Sequence, residues 1–139
     1  MKQGASHILL PLIAALVLPA GTAVAASPTS PAGRWLAEDI RGGGVIDYLQ
    51  SVLEIAGDGR ISGTGGCNRI MGKARVEGAT ITLGPLATTR MACSPAVMDQ
   101  ERKFLAALEA VRSWRIDTVR HKLVLLGAKG ETLVVLARM

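Results

Sequence analysis

The chain has 139 residues, with 16 Lys and Arg against 11 Asp and Glu for a formal net charge of +5, and only two cysteines. That length allows one ordinary domain with a modest core. The basic residues are scattered among acidic ones, which describes a solvated surface and excludes the dense basic block expected of a nucleic-acid binder.

The first segment reads as an address, not as structure. Lys2, the apolar run Ile8–Leu18 and the small residues Ala23-Val24-Ala25 follow the order of a secretory signal peptide. Residues 1–25 are therefore expected to be cleaved after Ala25. A membrane anchor is the alternative, but the run is about half the roughly 20 residues that a spanning helix needs. Pro11 interrupts it and Pro19 ends it. No cysteine stands at the cleavage point, so the expected product is a periplasmic protein that is not a lipoprotein. Residues 26–33 (ASPTSPAG) read as a flexible lead-in. Residues 34–139 read as the domain, and no later apolar run in them is long enough to cross a membrane.

Trp35–Ile40 opens a sheet and Arg41-Gly42-Gly43-Gly44 breaks it. Ser51–Ala56 and Arg60–Gly63 form a hairpin about Gly57-Asp58-Gly59, which supplies the positive-φ residues of a tight turn. Gly63-Thr64-Gly65-Gly66-Cys67-Asn68 is too rich in glycine for a plain strand and predicts a bulge or a close backbone approach. Lys73–Val76 is a weak strand, Ala79–Leu83 a clear one, and Leu86–Ala92 a further extended segment. One helix follows over 96–111, with Ser94 as N-cap and Pro95 at its first position. Val97, Phe104, Leu105, Leu108 and Val111 make its apolar stripe. Asp99 and Glu101 sit at its positive end and Arg112 at its negative end, as the macrodipole favours. Ser113–Ile116 resumes extended structure, and Lys122–Leu126 pairs with Glu131–Ala137 across Gly127-Ala128-Lys129-Gly130. The expected fold is mostly β within the α+β class: a single antiparallel sheet curled into a barrel-like shape with one α-helix packed on it.

Few side chains suggest chemistry. In an oxidising compartment the even cysteine count favours a Cys67–Cys93 disulfide, with two free thiols as the alternative. The only histidine after the leader is His121, between Arg120 and Lys122, so neither a Cys–His pair nor a metal set at ligand spacing is present in the sequence. Gly63–Gly66 lacks the Gly-Lys-Ser/Thr of a phosphate loop. Glu38 and Asp39 are neighbours and would face opposite sides of a strand. No catalytic, cofactor or metal site is expected. One constellation stands out. A Cys67–Cys93 bond would draw Asn68-Arg69 beside Thr89-Arg90-Met91. Asn68, Thr88 and Thr89 then read as hydrogen-bonders that tie down irregular backbone. The sharper alternative is a small anion-recognising patch formed by Asn68, Arg69, Thr89 and Arg90.

Ser62-Gly63-x-x-Gly66-Cys67-Asn68, then Gly72, then Leu86-Ala87-Thr88-Thr89-Arg90-Met91-Ala92-Cys93, then Glu101 with Phe104-Leu105-x-x-Leu108, and last Leu123-x-Leu125 resemble the META domain family, which is HslJ-like. Trp35 also fits the pattern. The resemblance implies a small one-sheet, barrel-like domain crossed by a helix, an envelope location and a link to heat shock and stress response, with no enzymatic activity. This chain departs in having Lys73 where an aromatic residue is frequent, and in lacking the lipid-bearing cysteine of many bacterial relatives. The expected function is a monomeric, non-enzymatic envelope protein that supports stress tolerance by binding a protein, peptide or amphiphile, without cofactor and without nucleic acid. The alternative is an inhibitor of an envelope-directed hydrolase, a protease or lysozyme, with Gly42–Gly44 or Gly65–Asn68 as its loop. An apolar-ligand carrier would require an internal cavity.

Overall fold

A computed structural model describes residues 2–22 and 30–139. The Ala23-Val24-Ala25 motif and residues 26–29 of the expected lead-in lie outside the described residues. Residues 2–22 form no helix or strand, and every side chain of Ile8–Leu18 stands in solvent. Among the described residues no helix is long and apolar enough to cross a membrane.

The elements run β1 (Gly33–Ile40), β2 (Val52–Ile55), β3 (Arg60–Thr64), β4 (Arg69–Glu77), β5 (Thr80–Leu83), β6 (Ala87–Thr88), α1 (Pro95–Ala110), β7 (Ser113–Asp117), β8 (Lys122–Leu126) and β9 (Thr132–Arg138). All pairings are antiparallel, in the order β3-β2-β1-β9-β8-β7-β5-β4, and β3 also pairs with β4. That last pairing closes the sheet into a ring. The short β6 shares an edge of β4 with β5, through Ile70↔Thr88 and Met71↔Ala87. The thinnest seam is β5–β7, which has the single pair Thr80↔Ser113. It is reinforced where Ile81 N donates to Arg112 O at 3.0 Å and the Trp114 indole donates to Gly78 O at 2.8 Å.

Closure explains the alternation along the strands. Inward residues such as Trp35, Leu53, Ile61 and Leu136 are almost fully buried, while neighbours such as Arg34, Glu54, Arg60 and Ser62 face water. The helix lays Phe104, Ala107 and Leu108 into the same cluster, and its C-cap Val111 joins them, each with no exposed surface. The interior is thus filled by side chains. The final hairpin is buried on both faces: Leu123 and Leu125 point to the core, and Val124 is covered beside its partner Val135. On the amino-terminal side Pro31 is buried, and its carbonyl accepts the Trp35 indole N–H at 2.9 Å.

Three local expectations differ from the structure. The weak strand at 73–76 is the longest in the molecule, β4, because its outward residues Arg69, Met71, Lys73 and Arg75 hide the apolar alternation that Ile70 and Ala74 carry. The extended segment 86–92 keeps only the two residues of β6; residues 89–94 leave the sheet. Ser94 occupies the N-cap position but makes no side-chain capping bond, and the first helical turn carries no acidic residue. Arg112 does serve the carboxyl end, where its Nη1 donates to the carbonyls of Glu109 and Val111.

Phe104→Ala should therefore lower unfolding free energy by about 4 kcal/mol. Urea titration followed by tryptophan fluorescence reads this directly, and a change under about 1 kcal/mol would contradict the packed interior.

Candidate functional site

The chain leaves β3 at Thr64 and enters β4 at Arg69 through four residues with no ladder partner. Gly65 and Gly66 are required there for separate reasons. A Cβ on Gly65 would meet the Glu101 carboxylate oxygen at 2.9 Å, and Gly66 holds φ at 125° against the Leu49 side chain. Cys67 follows and is bonded to Cys93, with their Cα atoms 6.1 Å apart. The bridge ties the bend to residues 89–94, which run on to the helix.

Beneath it sits a knot of buried polar groups. Glu101 is 3% exposed and projects from the helix into the bend. Its Oε2 accepts the backbone N–H groups of Cys67 at 2.9 Å and Asn68 at 2.7 Å, and its Oε1 accepts Asn68 Nδ2 at 2.7 Å. Asn68, equally buried, fills its remaining capacity on the other side. Its Nδ2 also donates to Met91 O at 3.2 Å, and its Oδ1 accepts Met91 N at 2.6 Å and Thr89 Oγ1 at 3.0 Å. Both amide donors and both acceptor positions are thereby used. Thr89 Oγ1 in turn accepts Arg69 N at 3.0 Å. A second buried polar chain runs alongside: Gln100 Nε2 donates to Ser51 Oγ at 3.0 Å, and Ser51 Oγ donates to Gly65 O at 2.9 Å.

The structure brings Asn68, Arg69, Thr89 and Arg90 together beside the disulfide, in two layers. Asn68 is inside and structural. Arg69, Thr89 and Arg90 are exposed, and neither arginine has a carboxylate partner among the described residues. Arg90, Met91, Ala92, Met98, Thr88 and Thr89 line a shallow dish of about 360 Å³ with Asn68 and Glu101 at its floor. Arg69 stands outside it, at the start of β4.

Glu101 is the residue that sequence reasoning placed wrongly. The macrodipole does not explain it; the bend does. The available signal was its helical register, since Val97, Gln100, Glu101, Phe104 and Leu108 fall on one face, and a glutamate on an apolar face needs buried partners. Asp99 does behave as a surface residue: a hydrogen bond from Lys103 holds its carboxyl below the usual carboxylate range, aided by Arg102. His121 is exposed in the β7–β8 turn at φ 55°, as a hairpin residue. Among the described residues no three His, Cys, Asp or Glu side chains converge as a metal site.

A helix-filled antiparallel ring, stapled at a glycine-rich bend and knotted there by an Asn–Glu pair, defines a small disulfide-bonded β domain. The chain belongs to the META domain family, whose model matches residues 29–139. No match was found among curated proteins. The NMR structure of a protein from Burkholderia xenovorans is similar in fold, with TM-score 0.63 and 24% identity over 88% of this chain and 97% of that one. A second NMR structure gives TM-score 0.54 and 26% identity over 74% of this chain and 86% of its own. The crystal structure of a DUF4847 family protein from Bacteroides vulgatus gives TM-score 0.54 and 16% identity, covering 76% and 92%.

Two stability outcomes follow. The isosteric Asn68→Asp change sets a second carboxylate against Glu101 and the Met91 carbonyl, and should cost about 3 kcal/mol at neutral pH. Like charges raise the pair's affinity for a proton, so the deficit relative to wild type should shrink as pH falls. Chemical denaturation across pH measures both. Replacing Cys67 and Cys93 by Ser, across a separation of 26 residues, should cost about 3.5 kcal/mol in the chain-entropy model while the protein still folds, because the knot remains. Thermal unfolding monitored by circular dichroism tests this.

Proposed function

We propose that the chain is a non-enzymatic, exported protein of the bacterial envelope. It acts as a monomer and supports the cell under stress by binding a protein, peptide or amphiphile beside the stapled bend. One observation carries this reading. The side chains of the bend that chemistry would need are committed to structure: Cys67 and Cys93 to each other, Glu101 and Asn68 to buried hydrogen bonds. The groups left facing solvent, Arg69, Arg90 and Met91, are suited to recognition. Export is supported by the leader pattern in the sequence and by the disulfide, which persists in an oxidising compartment. The filled interior favours a surface partner over an enclosed apolar ligand.

A second reading, inhibition of an envelope-directed hydrolase, is favoured by the loop after β1. Asp39 carboxylate oxygens accept Gly42 N at 2.7 Å and Gly44 N at 2.8 Å, which fixes an exposed loop whose Arg41 is held at φ 51°. A rigid, solvent-presented loop loses little entropy on docking.

Affinity capture from envelope extract separates the readings. The bend reading expects partners that wild type retains and Arg69→Ala/Arg90→Ala loses. The inhibitor reading expects one hydrolase, lost in Asp39→Ala and kept in the arginine variant. Mass spectrometry of the accumulated protein should find a chain beginning at Ala26; an intact leader on a cytoplasmic protein would overturn both.

A further inference from the structure

The outward face of β4 sets three basic residues in one line. Its exposed positions in order are Arg69, Met71, Lys73, Arg75 and Glu77, while Ile70 and Ala74 point inward. Alternate residues on a strand lie about 6.8 Å apart, so the three cations form a column about 20 Å long with Met71 between the first two. Strand register fixes what stands beside it. On the β3 side Thr64, Ser62 and Arg60 oppose Arg69, Met71 and Lys73. On the other side Ala87 opposes Met71 and Thr82 opposes Arg75, while the Lys73 carbonyl bonds Gly84 N. Apart from Arg60 these neighbours are short, so the long cationic side chains stand above them.

Among the described residues no carboxylate pairs with the column. Arg102 and Lys103 share Asp99, Lys122 pairs with Glu38, and Arg60 pairs with Asp58. Arg69, Lys73 and Arg75 have no carboxylate within ion-pair distance among the described residues. Lys73 instead faces Arg60 directly across the ladder, a like-charge pairing that disfavours the sheet.

We infer that the column Arg69–Met71–Lys73–Arg75, with Arg60 beside it, docks the protein onto an anionic phospholipid surface. Charge complementarity requires an anion, and two further features select a lipid surface over a soluble polyanion. Met71 is 51% exposed in the middle of the cations, and an apolar group interleaved with cations suits the boundary between headgroups and acyl chains. The sheet is closed into a ring, so this face is convex. A ridge touches a plane along its length, whereas a flexible anionic chain is better held by a groove. The inference goes beyond the partner capture described above; it uses Arg69 in common with the dish but not Arg90, so the two can fail separately.

The test uses the protein as it accumulates in the producing cell, its amino terminus read by mass spectrometry. Co-sedimentation is measured with vesicles of equal parts phosphatidylglycerol and phosphatidylcholine, and with phosphatidylcholine alone. Wild type should bind the anionic vesicles only and release them as salt is raised from about 0.1 M to about 0.5 M. Arg69→Gln/Lys73→Gln/Arg75→Gln should weaken binding on the order of 100-fold without lowering the thermal unfolding midpoint of wild type. Arg90→Ala should bind as wild type does. Met71→Ser should weaken vesicle binding several-fold. Equal binding to neutral vesicles, no binding, or an unaffected triple variant would overturn the inference. So would tighter binding to soluble polyphosphate with Met71→Ser unchanged, which would assign the column to a soluble polyanion.

Discussion

The passage from β3 to β4 is where the chain must leave one ladder and join the next, and Glu101 makes that passage possible. Four residues there have no strand to pair with, and burying their N–H groups unpaired would cost about 1–3 kcal/mol each. A single carboxylate from the helix takes two of those N–H groups and the Asn68 amide. Bonds to a charged acceptor are worth about 1.5–3 kcal/mol each, so the set offsets much of the desolvation of the carboxylate itself. The same side chain locks the helix to the bend, and Asn68 locks the bend to residues 89–91. Three segments distant in sequence meet at two side chains.

The disulfide joins the same two segments but works on the other side of the equilibrium. It restricts the unfolded chain, whereas the Asn68–Glu101 pair acts only once the bend, the crossing segment and the helix are assembled. The two are complementary. The bridge raises the effective concentration of the segments, and the knot specifies how they meet. This division also limits chemistry. A carboxylate saturated by donors and covered by backbone is poorly placed as a proton shuttle, and a bonded thiol is no nucleophile. What remains for function lies outside the knot.

The fold was legible wherever side-chain period and burial coincide. The hairpins at Gly57–Gly59 and Gly127–Gly130 and the stripe Phe104–Leu108–Val111 follow from pattern alone, because the same face that is apolar is the face that is buried. The Cys67–Cys93 pair was legible from the leader pattern and the even cysteine count. Two things were not. β4 was underestimated because its outward face stands in water, and the polar set there swamped the Ile70 and Ala74 signal. Glu101 was explained by position in the helix, since a sequence gives the distance along a helix axis more readily than the distance to a bend 33 residues earlier. The glycines at 65 and 66 and the asparagine at 68 held the complementary half of that information: a bend with no side chains of its own to fill it, and an amide that needs four partners.

The placement of charge carries the argument from fold to function. Folding requires inward residues to be apolar and is indifferent to most outward ones, so outward residues that pair with opposite charges are easily understood. Asp99 between Arg102 and Lys103, and Glu38 with Lys122, are of that kind. A like-charge face in which Lys73 opposes Arg60 works against the sheet it stands on. An antiparallel pair stabilised by its core tolerates that repulsion, but nothing in the packing asks for it. With this much of its polar interior already satisfied, packing does not require Lys73 to stand opposite Arg60, and that pairing is the surface feature on which the lipid-docking inference rests.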